Sequence, residues 1–392
     1  VPRTLQQFPE DFWSGRATAL RVDWNVPLRD GIIQDDTRIR ASLPTLTYLL
    51  ERGARVLVMS HLGRPKGKVN PAYSLRPLVP HVERLLNRPV RFVPEHREEL
   101  LDALWAELGP GEVALLENVR FHPGERNNDP AFAALLARGV EAYVNDAFGT
   151  AHRAHASVEA LPRRIAHKAM GRLFEREIFW LRKVREAPDA PFVVVLGGAK
   201  VSDKLGVIRH LLSRVDRLVV GGGMAYTFLA ARGEAVGRSL VDEEHLEDVR
   251  AFLEEAPEKF VLPVDHVVAA SPDAGHGEVV QRIPSDRMGL DIGPETRARF
   301  QAVIEGRGTI FWNGPMGVFE NPAFREGTRV VAERMVAACA EGATVVVGGG
   351  DTASAYHLLG FPTDAVSHVS TGGGATLTYV AGEPLPALEA LE

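Results

Sequence analysis

The stretch Val345-Val346-Val347-Gly348-Gly349-Gly350-Asp351-Thr352-Ala353 decides the fold. Three successive β-branched residues with no polar alternation read as a strand covered on both faces, as in a parallel sheet. Three glycines follow, then a helical run from Thr352 to Leu359, with Asp351 or Thr352 expected at the N-cap. Glycine lets the backbone come close to a ligand because no Cβ stands in the way. The first amides of a helix lack partners within it and carry partial positive charge, so the turn suits an anion such as phosphate. A carboxylate at its mouth, Asp351, would repel phosphate unless a cation lay between them, which points to Mg²⁺. The plainer reading of the same residues is a tight turn closing one strand–helix unit.

Working outward, the second half of the chain repeats this theme. Phe192–Leu196 runs into Gly197-Gly198-Ala199-Lys200, Arg217–Val220 into Gly221-Gly222-Gly223, and Thr309–Trp312 into Asn313-Gly314-Pro315. His368–Ser370 leads to Gly372-Gly373-Gly374, and Phe260–Val268 reads as a strand interrupted by Pro263. Such glycine-bearing strand ends allow a flat or phosphorylated ligand to approach. Lys200 and Lys204 flank the helix start after a Gly-Gly turn, where a lysine is a mobile point charge aimed at phosphate. Glu320 is a candidate acceptor for ribose hydroxyls.

The first half alternates in the same way. Expected strands are Ala17–Asp23, Arg55–Ser60, Val113–Phe121 and Glu141–Phe148, with helices from Asp35-Asp36-Thr37, at Pro80–Asn87, Arg97–Leu108 and Pro130–Arg138. Strand–helix alternation implies parallel strands joined by crossover helices, and ligands bind beyond the C-terminal ends of such strands. Asp23, Asn25, His61, Arg64, Arg120, Arg153 and His155 fall at or just after strand ends, and Arg38 near the next helix start. Four arginines with histidines along one sheet edge form a receptor for a compact polyanion, since arginine grips phosphate or carboxylate through paired N–H groups. A scatter of solvated charges is the bland alternative. His152-x-x-His155 also fits part of a zinc site, with no third ligand evident nearby.

A helical period over Gly171–Glu186 ends in Pro188-Asp189-Ala190-Pro191, a joint suited to a domain boundary. The expected fold is α/β: two doubly wound, Rossmann-like parallel-sheet domains joined by a helix and hinge. The expected limits are 1–172, a connecting helix 173–187, and 188–376. With 392 residues, 45% hydrophobic and 24% charged, each half is long enough for its own core. A formal net charge of −6 argues against general nucleic-acid binding, so any anion site must be a local basic cluster. Cys339 is the only cysteine, which excludes a disulfide scaffold and points to a reducing, cytoplasmic setting. No signal peptide or long apolar span is read, and a monomer is the default.

Taken together the motifs resemble the phosphoglycerate kinase family almost end to end. They are Arg21-Val22-Asp23-Trp24-Asn25-Val26-Pro27, Asp35-Asp36-Thr37-Arg38, His61-Leu62-Gly63-Arg64, Glu117-Asn118-Val119-Arg120-Phe121 and Asn145–Arg153. The second half adds Leu196–Lys204, Phe311–Glu320, Gly348–Thr352 and Ser370–Gly374. The resemblance implies a two-domain hinge kinase. Its N-terminal domain would hold 3-phosphoglycerate or 1,3-bisphosphoglycerate through Asp23, Asn25, Arg38, His61, Arg64, Arg120 and Arg153. Its C-terminal domain would hold MgADP or MgATP through Gly198, Lys200, Lys204, Gly222, Gly293, Asn313, Glu320, Gly349, Gly350, Asp351 and Thr352, with Asp351 the magnesium contact. It further implies that 377–392 returns to the N-terminal domain. Arg38 and Lys200, with the amides of Gly349 and Gly350, would act on the moving phosphoryl group. Trp24 stands where the family usually has Phe, and Thr378 and Ala381 replace commonly acidic residues.

Two rivals remain at this point. A dinucleotide oxidoreductase is compatible with Gly348-x-Gly350-x-x-Ala353, but no acidic residue lies about 20 positions on to take the ribose. A non-catalytic nucleotide-binding scaffold would keep the glycines, yet has no need for Arg38, Lys200 and the distant arginines together.

Overall fold

The computed structural model describes Val1 to Glu392. Its chain divides into two compact units, Val1–Ile178 with Pro384–Glu392, and Phe179–Glu383.

In the first unit the strands are β1 (Ala17–Arg21), β2 (Arg55–Met59), β3 (Val90–Val93), β4 (Val113–Leu116), β5 (Ala142–Asn145) and β6 (His167–Met170). They form one sheet in the order β3-β4-β2-β1-β5-β6, all neighbours parallel. The crossover helices include α1 (Thr37–Glu51), α2 (Val79–Leu86), α3 (Glu98–Glu107) and α4 (Pro130–Leu136). Every residue of β1, β4 and β5 is buried, which is why these strands read as unbroken apolar runs. The chain winds outward from β1 through β2, then resumes on its other side at β5. The C-terminal ends of β1 and β5 are therefore a topological switch point, where such sheets open a crevice.

The helix α5 (Arg172–Arg185) spans the limit between the two units at Ile178–Phe179. The second unit has β7 (Phe192–Leu196), α6 (Leu205–Leu211), β8 (Arg217–Val220), α7 (Met224–Ala231), α8 (Leu246–Glu255) and β9 (Phe260–Val261). Then come β10 (His266–Ala269), β11 (Glu278–Val280), β12 (Met288–Ile292), α9 (Pro294–Val303), β13 (Thr309–Asn313) and α10 (Glu326–Glu341). The unit ends with β14 (Thr344–Val347), α11 (Gly350–Leu358), β15 (His368–Val369) and α12 (Gly374–Val380). Its parallel sheet runs β9-β8-β7-β13-β14-β15, so the switch point lies between β7 and β13. Trp312, Val345 and Val347 are fully buried in the core of this sheet.

The two doubly wound parallel sheets are as expected from the sequence. Several elements differ. The run Val113–Phe121 is a strand only to Leu116, because the Asn118 side chain caps a 3₁₀ turn at Val119–Phe121 by accepting from Arg120 N. Phe260–Val268 is two strands in different sheets, since Pro263 cannot donate to a ladder. The helix expected from Thr352 begins at Gly350, with Gly349 at the N-cap and Asp351 inside the first turn. The antiparallel sheet β11-β10-β12 was not expected. No helix is long and apolar enough to cross a membrane.

Candidate active site

At the switch point of the first unit, side chains stitch the loops after β1, β2 and β4 together. Asp23 Oδ1 accepts from Asn25 N at 3.2 Å, and Asn25 Oδ1 accepts from Gly63 N at 2.9 Å. Arg38, in the first turn of α1, donates to Asn25 O at 3.0 Å and stands 3.4 Å from Asp23 Oδ1. Asn118 Nδ2 donates to Leu62 O and Tyr73 O, and Arg120 donates to Gly63 O at 3.0 Å. The bulk of Trp24 is absorbed by full burial, with its indole N–H donating to Ser42 Oγ at 2.8 Å. Asp23, Asn25, Arg38, His61 and Arg120 are thus brought to one place. Arg64 follows Gly63 and is exposed; Arg153, also exposed, bears on Arg120 as a like charge.

Positive charge outweighs negative in this cluster: Arg21 and Arg153 bear on Arg120, against the opposing pull of Glu125 alone among the carboxylates. Burial, then the positive charges of Arg21 and Arg153, lowers the Arg120 guanidinium to about 10. Burial and the neighbouring arginines bring His155 down to about 3 and hold His61 well below the usual histidine value, so both rings are neutral at pH 7. Arg120 Nε and His155 Nδ1 are buried without a hydrogen-bond partner. Such unpaired groups are costly, and a multivalent anion would relieve them. His152 and His155 belong to no group of three His, Cys, Asp or Glu side chains suited to a metal ion.

In the second unit three glycine-bearing loops pack backbone against backbone. Gly197 N donates to Asn313 O, Gly198 N to Pro315 O and Gly222 N to Met316 O. A Cβ on Gly197 would lie 2.2 Å from Pro315 O, and one on Gly222 2.6 Å from Gly198 N. Gly197 and Gly222 therefore let these loops touch one another. Gly349 has φ +100° and would place a Cβ 2.4 Å from Asn313 Nδ2. Gly350, by contrast, has nothing within 4 Å of a Cβ position, so the start of α11 is open.

Asn313 ties the β13 and β14 loops, donating to Gly348 O at 2.7 Å, while Thr352 Oγ1 accepts from Gly314 N at 2.7 Å. Asn313 Oδ1 also accepts from Lys204 Nζ. Burial pulls the Lys204 ammonium down to about 8, against the opposing pull of Asp203 and Asp351. Lys200 and Asp351 are exposed.

A cavity of about 450 Å³ adjoins these loops. Gly198, Gly222, Glu320 and Asp351 line it, as do Ala199, Tyr226, Leu240, Pro272, Met288, Gly289, Leu290, Pro315, Met316, Val318 and Phe319. Its wall is largely apolar, suited to a flat ring, and Asp351 stands at its edge beside the open helix start. Gly293 is not in this lining: it caps α9 against the Asp265 carboxylate, 2.3 Å from where its Cβ would be. Gly289, Leu290 and Asp291 of the unforeseen antiparallel sheet supply that wall instead. Sequence reading also missed Tyr226 and Leu240, which carry no motif; Met316 and Phe319 lay within a quoted motif but were given no role.

The comparisons with known proteins agree along the whole chain. The family profile described as phosphoglycerate kinase matches residues 10–383. Phosphoglycerate kinases of Salinispora tropica and Rubrobacter xylanophilus are 53% and 51% identical, covering 100% and 96% of this chain and 99% and 95% of their own lengths. Among solved structures, phosphoglycerate kinase from Coxiella burnetii is similar with a TM-score of 0.88 at 38% identity, covering 100% of this chain and 98% of that one. The Pyrococcus horikoshii phosphoglycerate kinase gives 0.84 at 32% identity, covering 99% and 98%.

Proposed function

Since the chain belongs to the phosphoglycerate kinase family, phosphotransferases with a carboxyl group as acceptor, we propose how its residues divide that reaction. The reaction is the glycolytic, reversible transfer of a phosphoryl group from 1,3-bisphosphoglycerate to ADP, giving ATP and 3-phosphoglycerate. The first unit holds the phosphoglycerate. Arg64, Arg120 and Arg153 bind its non-reacting phosphate, and Asp23, Asn25 and His61 orient its hydroxyl and carboxyl end. The observation that carries this assignment is the buried Arg120 Nε and His155 Nδ1, both without a hydrogen-bond partner, beside Arg38 at the switch point.

The second unit holds the nucleotide. Its ring fits the apolar cavity and Glu320 accepts from the ribose. Lys200, Lys204 and the amides at Gly349 and Gly350 face the phosphates, with Gly198, Gly222, Asn313 and Thr352 fixing the loops that carry them. Gly293, placed against Asp265, acts only by capping α9. A magnesium ion fits the donor set: one exposed carboxylate, Asp351, beside a helix start open to phosphate, matches a metal that takes few protein ligands and completes its shell with phosphate oxygens and water. When bound it neutralises charge on the phosphates.

A carboxylate acceptor carries no proton, so transfer to or from it needs no catalytic base. What remains is positioning and charge neutralisation. Arg38 and Lys200, with the amides of Gly349 and Gly350, stabilise the equatorial oxygens of the moving group. The two half-sites belong to separate compact units, so turnover requires hinge closure to unite them, which also keeps water from the acyl phosphate. On this reading the enzyme is a cytoplasmic monomer that engages neither membrane nor nucleic acid. The test is ATP consumption dependent on 3-phosphoglycerate and Mg²⁺, followed by reduction of the acyl phosphate with glyceraldehyde-3-phosphate dehydrogenase and NADH. Binding of MgADP without turnover would return the chain to the scaffold reading.

A further inference from the structure

Beneath the basic cluster lies a second polar layer, of which Arg21 alone belongs to a quoted motif. Arg21, the last residue of β1, is fully buried. A buried guanidinium needs partners for every donor it can satisfy. Its Nε donates to Ser157 Oγ at 2.8 Å, its Nη1 to Val22 O, and its Nη2 meets His61 Nδ1 at 3.2 Å. Ser157 sits in a π-helical turn, Ala156–Ala160. Its N–H and hydroxyl both donate to Glu125, at 2.6 and 2.5 Å, and Glu125 is itself fully buried. Tyr143 OH donates to Ser157 O at 2.8 Å and closes the layer from below.

The direction of each hydrogen bond is forced. Both Glu125 oxygens accept from Ser157. The single hydroxyl proton of Ser157 points to Glu125, so Ser157 Oγ can only accept from Arg21. A guanidinium has no lone pair to offer, so His61 Nδ1 must accept. His61 therefore carries its proton on Nε2. Burial and the charges of Arg21, Arg120 and Arg38 keep the ring neutral. Arg21 engages the ring through Nδ1, so Nε2–H is the donor the ring has left to offer.

We propose that Glu125, Ser157 and Arg21 are positioning residues for the substrate site: a buried relay that locks His61 in the neutral Nε2–H tautomer and aims that donor at an oxygen of the phosphoglycerate. The proposal rests on the reading of His61 as a substrate contact. It assigns a purpose to a buried Arg–Glu pair that is bridged by a hydroxyl instead of joined directly. Without the relay, His61 is free to rotate or to place its proton on Nδ1, and the substrate meets a lone pair where it needs a donor.

The test joins spectroscopy to kinetics on the full chain. Nitrogen-15 correlation spectra of histidine-labelled protein, with His61 assigned by its loss in His61→Gln, report which ring nitrogen is protonated. The parent is expected to show a pyridine-like Nδ1 and a protonated Nε2 at pH 6 to 8. In Ser157→Ala the tautomers are expected to mix. The KM for 3-phosphoglycerate then rises about tenfold, the scale of one lost hydrogen bond to a charged group. The KM for ATP and kcat stay within about twofold, unlike the uniform loss a merely structural residue would give. Ser157→Thr restores the hydroxyl and the parental KM. Glu125→Gln, which keeps the shape of the side chain, repeats the shift should Ser157→Ala fold poorly. An Nδ1–H tautomer in the parent overturns the relay. So does an unchanged tautomer in both variants while His61→Gln raises the KM. A parental KM in His61→Gln overturns the substrate reading of His61 itself.

Discussion

Replacing Lys204 by Met should separate stability from ligand binding in the second unit. Lys204 is 7% exposed, and burial lowers its ammonium from 10.5 to about 8. At 1.36 kcal/mol per pKa unit, the charge costs the free protein about 3 kcal/mol at pH 7. The sign follows from the folded value lying below the unfolded one. The penalty is complete below pH 8 and fades as pH rises from about 8 to 10.5, where the unfolded chain still binds the proton and the folded one does not. Methionine fills a similar volume without the charge but leaves Asn313 Oδ1 unpartnered, a loss of about 1–3 kcal/mol. At pH 7 the variant should therefore be about as stable as the parent or more stable, by up to about 2 kcal/mol. The sharper signature is the pH dependence: between pH 7 and pH 10 the parent should gain about 2 kcal/mol relative to Lys204→Met. Urea unfolding of both proteins at each pH measures this difference. The same variant should lose MgADP affinity, since its ammonium is the group offered to phosphate. A stability difference flat across that range, or undiminished nucleotide affinity, would refute the reasoning.

The same ammonium should make nucleotide binding take up protons. Near pH 8 about half the Lys204 side chains are neutral, so MgADP binding should draw about half a proton, read by calorimetry in buffers of different ionisation enthalpy. Arg38→Ala should lower kcat by about 100-fold or more, with a much smaller rise in KM, because its role lies in the transition state; steady-state kinetics decide this, and a rise in KM alone would make Arg38 a binding residue only. Gly349→Ala places a Cβ at φ +100° and 2.4 Å from Asn313 Nδ2, so it should destabilise the protein by about 1–3 kcal/mol and weaken nucleotide binding, seen by thermal unfolding and titration.

Much of this was legible in the sequence, and the exceptions have physical causes. Val345–Val347 and Phe192–Leu196 announced themselves because strands covered on both faces need no polar alternation. Arg120 and His61 were visible because they lie just after strand ends, where the topology gathers ligands, and Arg38 because it stands near the start of the helix that follows β1. The strand Val113–Leu116 was read too long because the break is made by the Asn118 side chain, not by a glycine or proline. The antiparallel sheet escaped because Glu278–Val280 is short and lacks a strong pattern, yet it brings Gly289–Asp291 to the cavity. Gly293 was quoted on family pattern, whereas its place against Asp265 depends on a contact 28 positions away. The Arg21–Ser157 bond closes over 136 positions, and a serine in a π-helical turn gives no local hint of a distant arginine.

The central claim is that the phosphoryl group passes directly between the two bound substrates, with these residues supplying only position and charge. Its most direct test is the stereochemical course at phosphorus, using ATP made chiral at the γ-phosphoryl group with oxygen isotopes. A single in-line displacement inverts the configuration, and inversion in the product is the result expected. Net retention would require two displacements through a phosphorylated side chain, and would contradict the account.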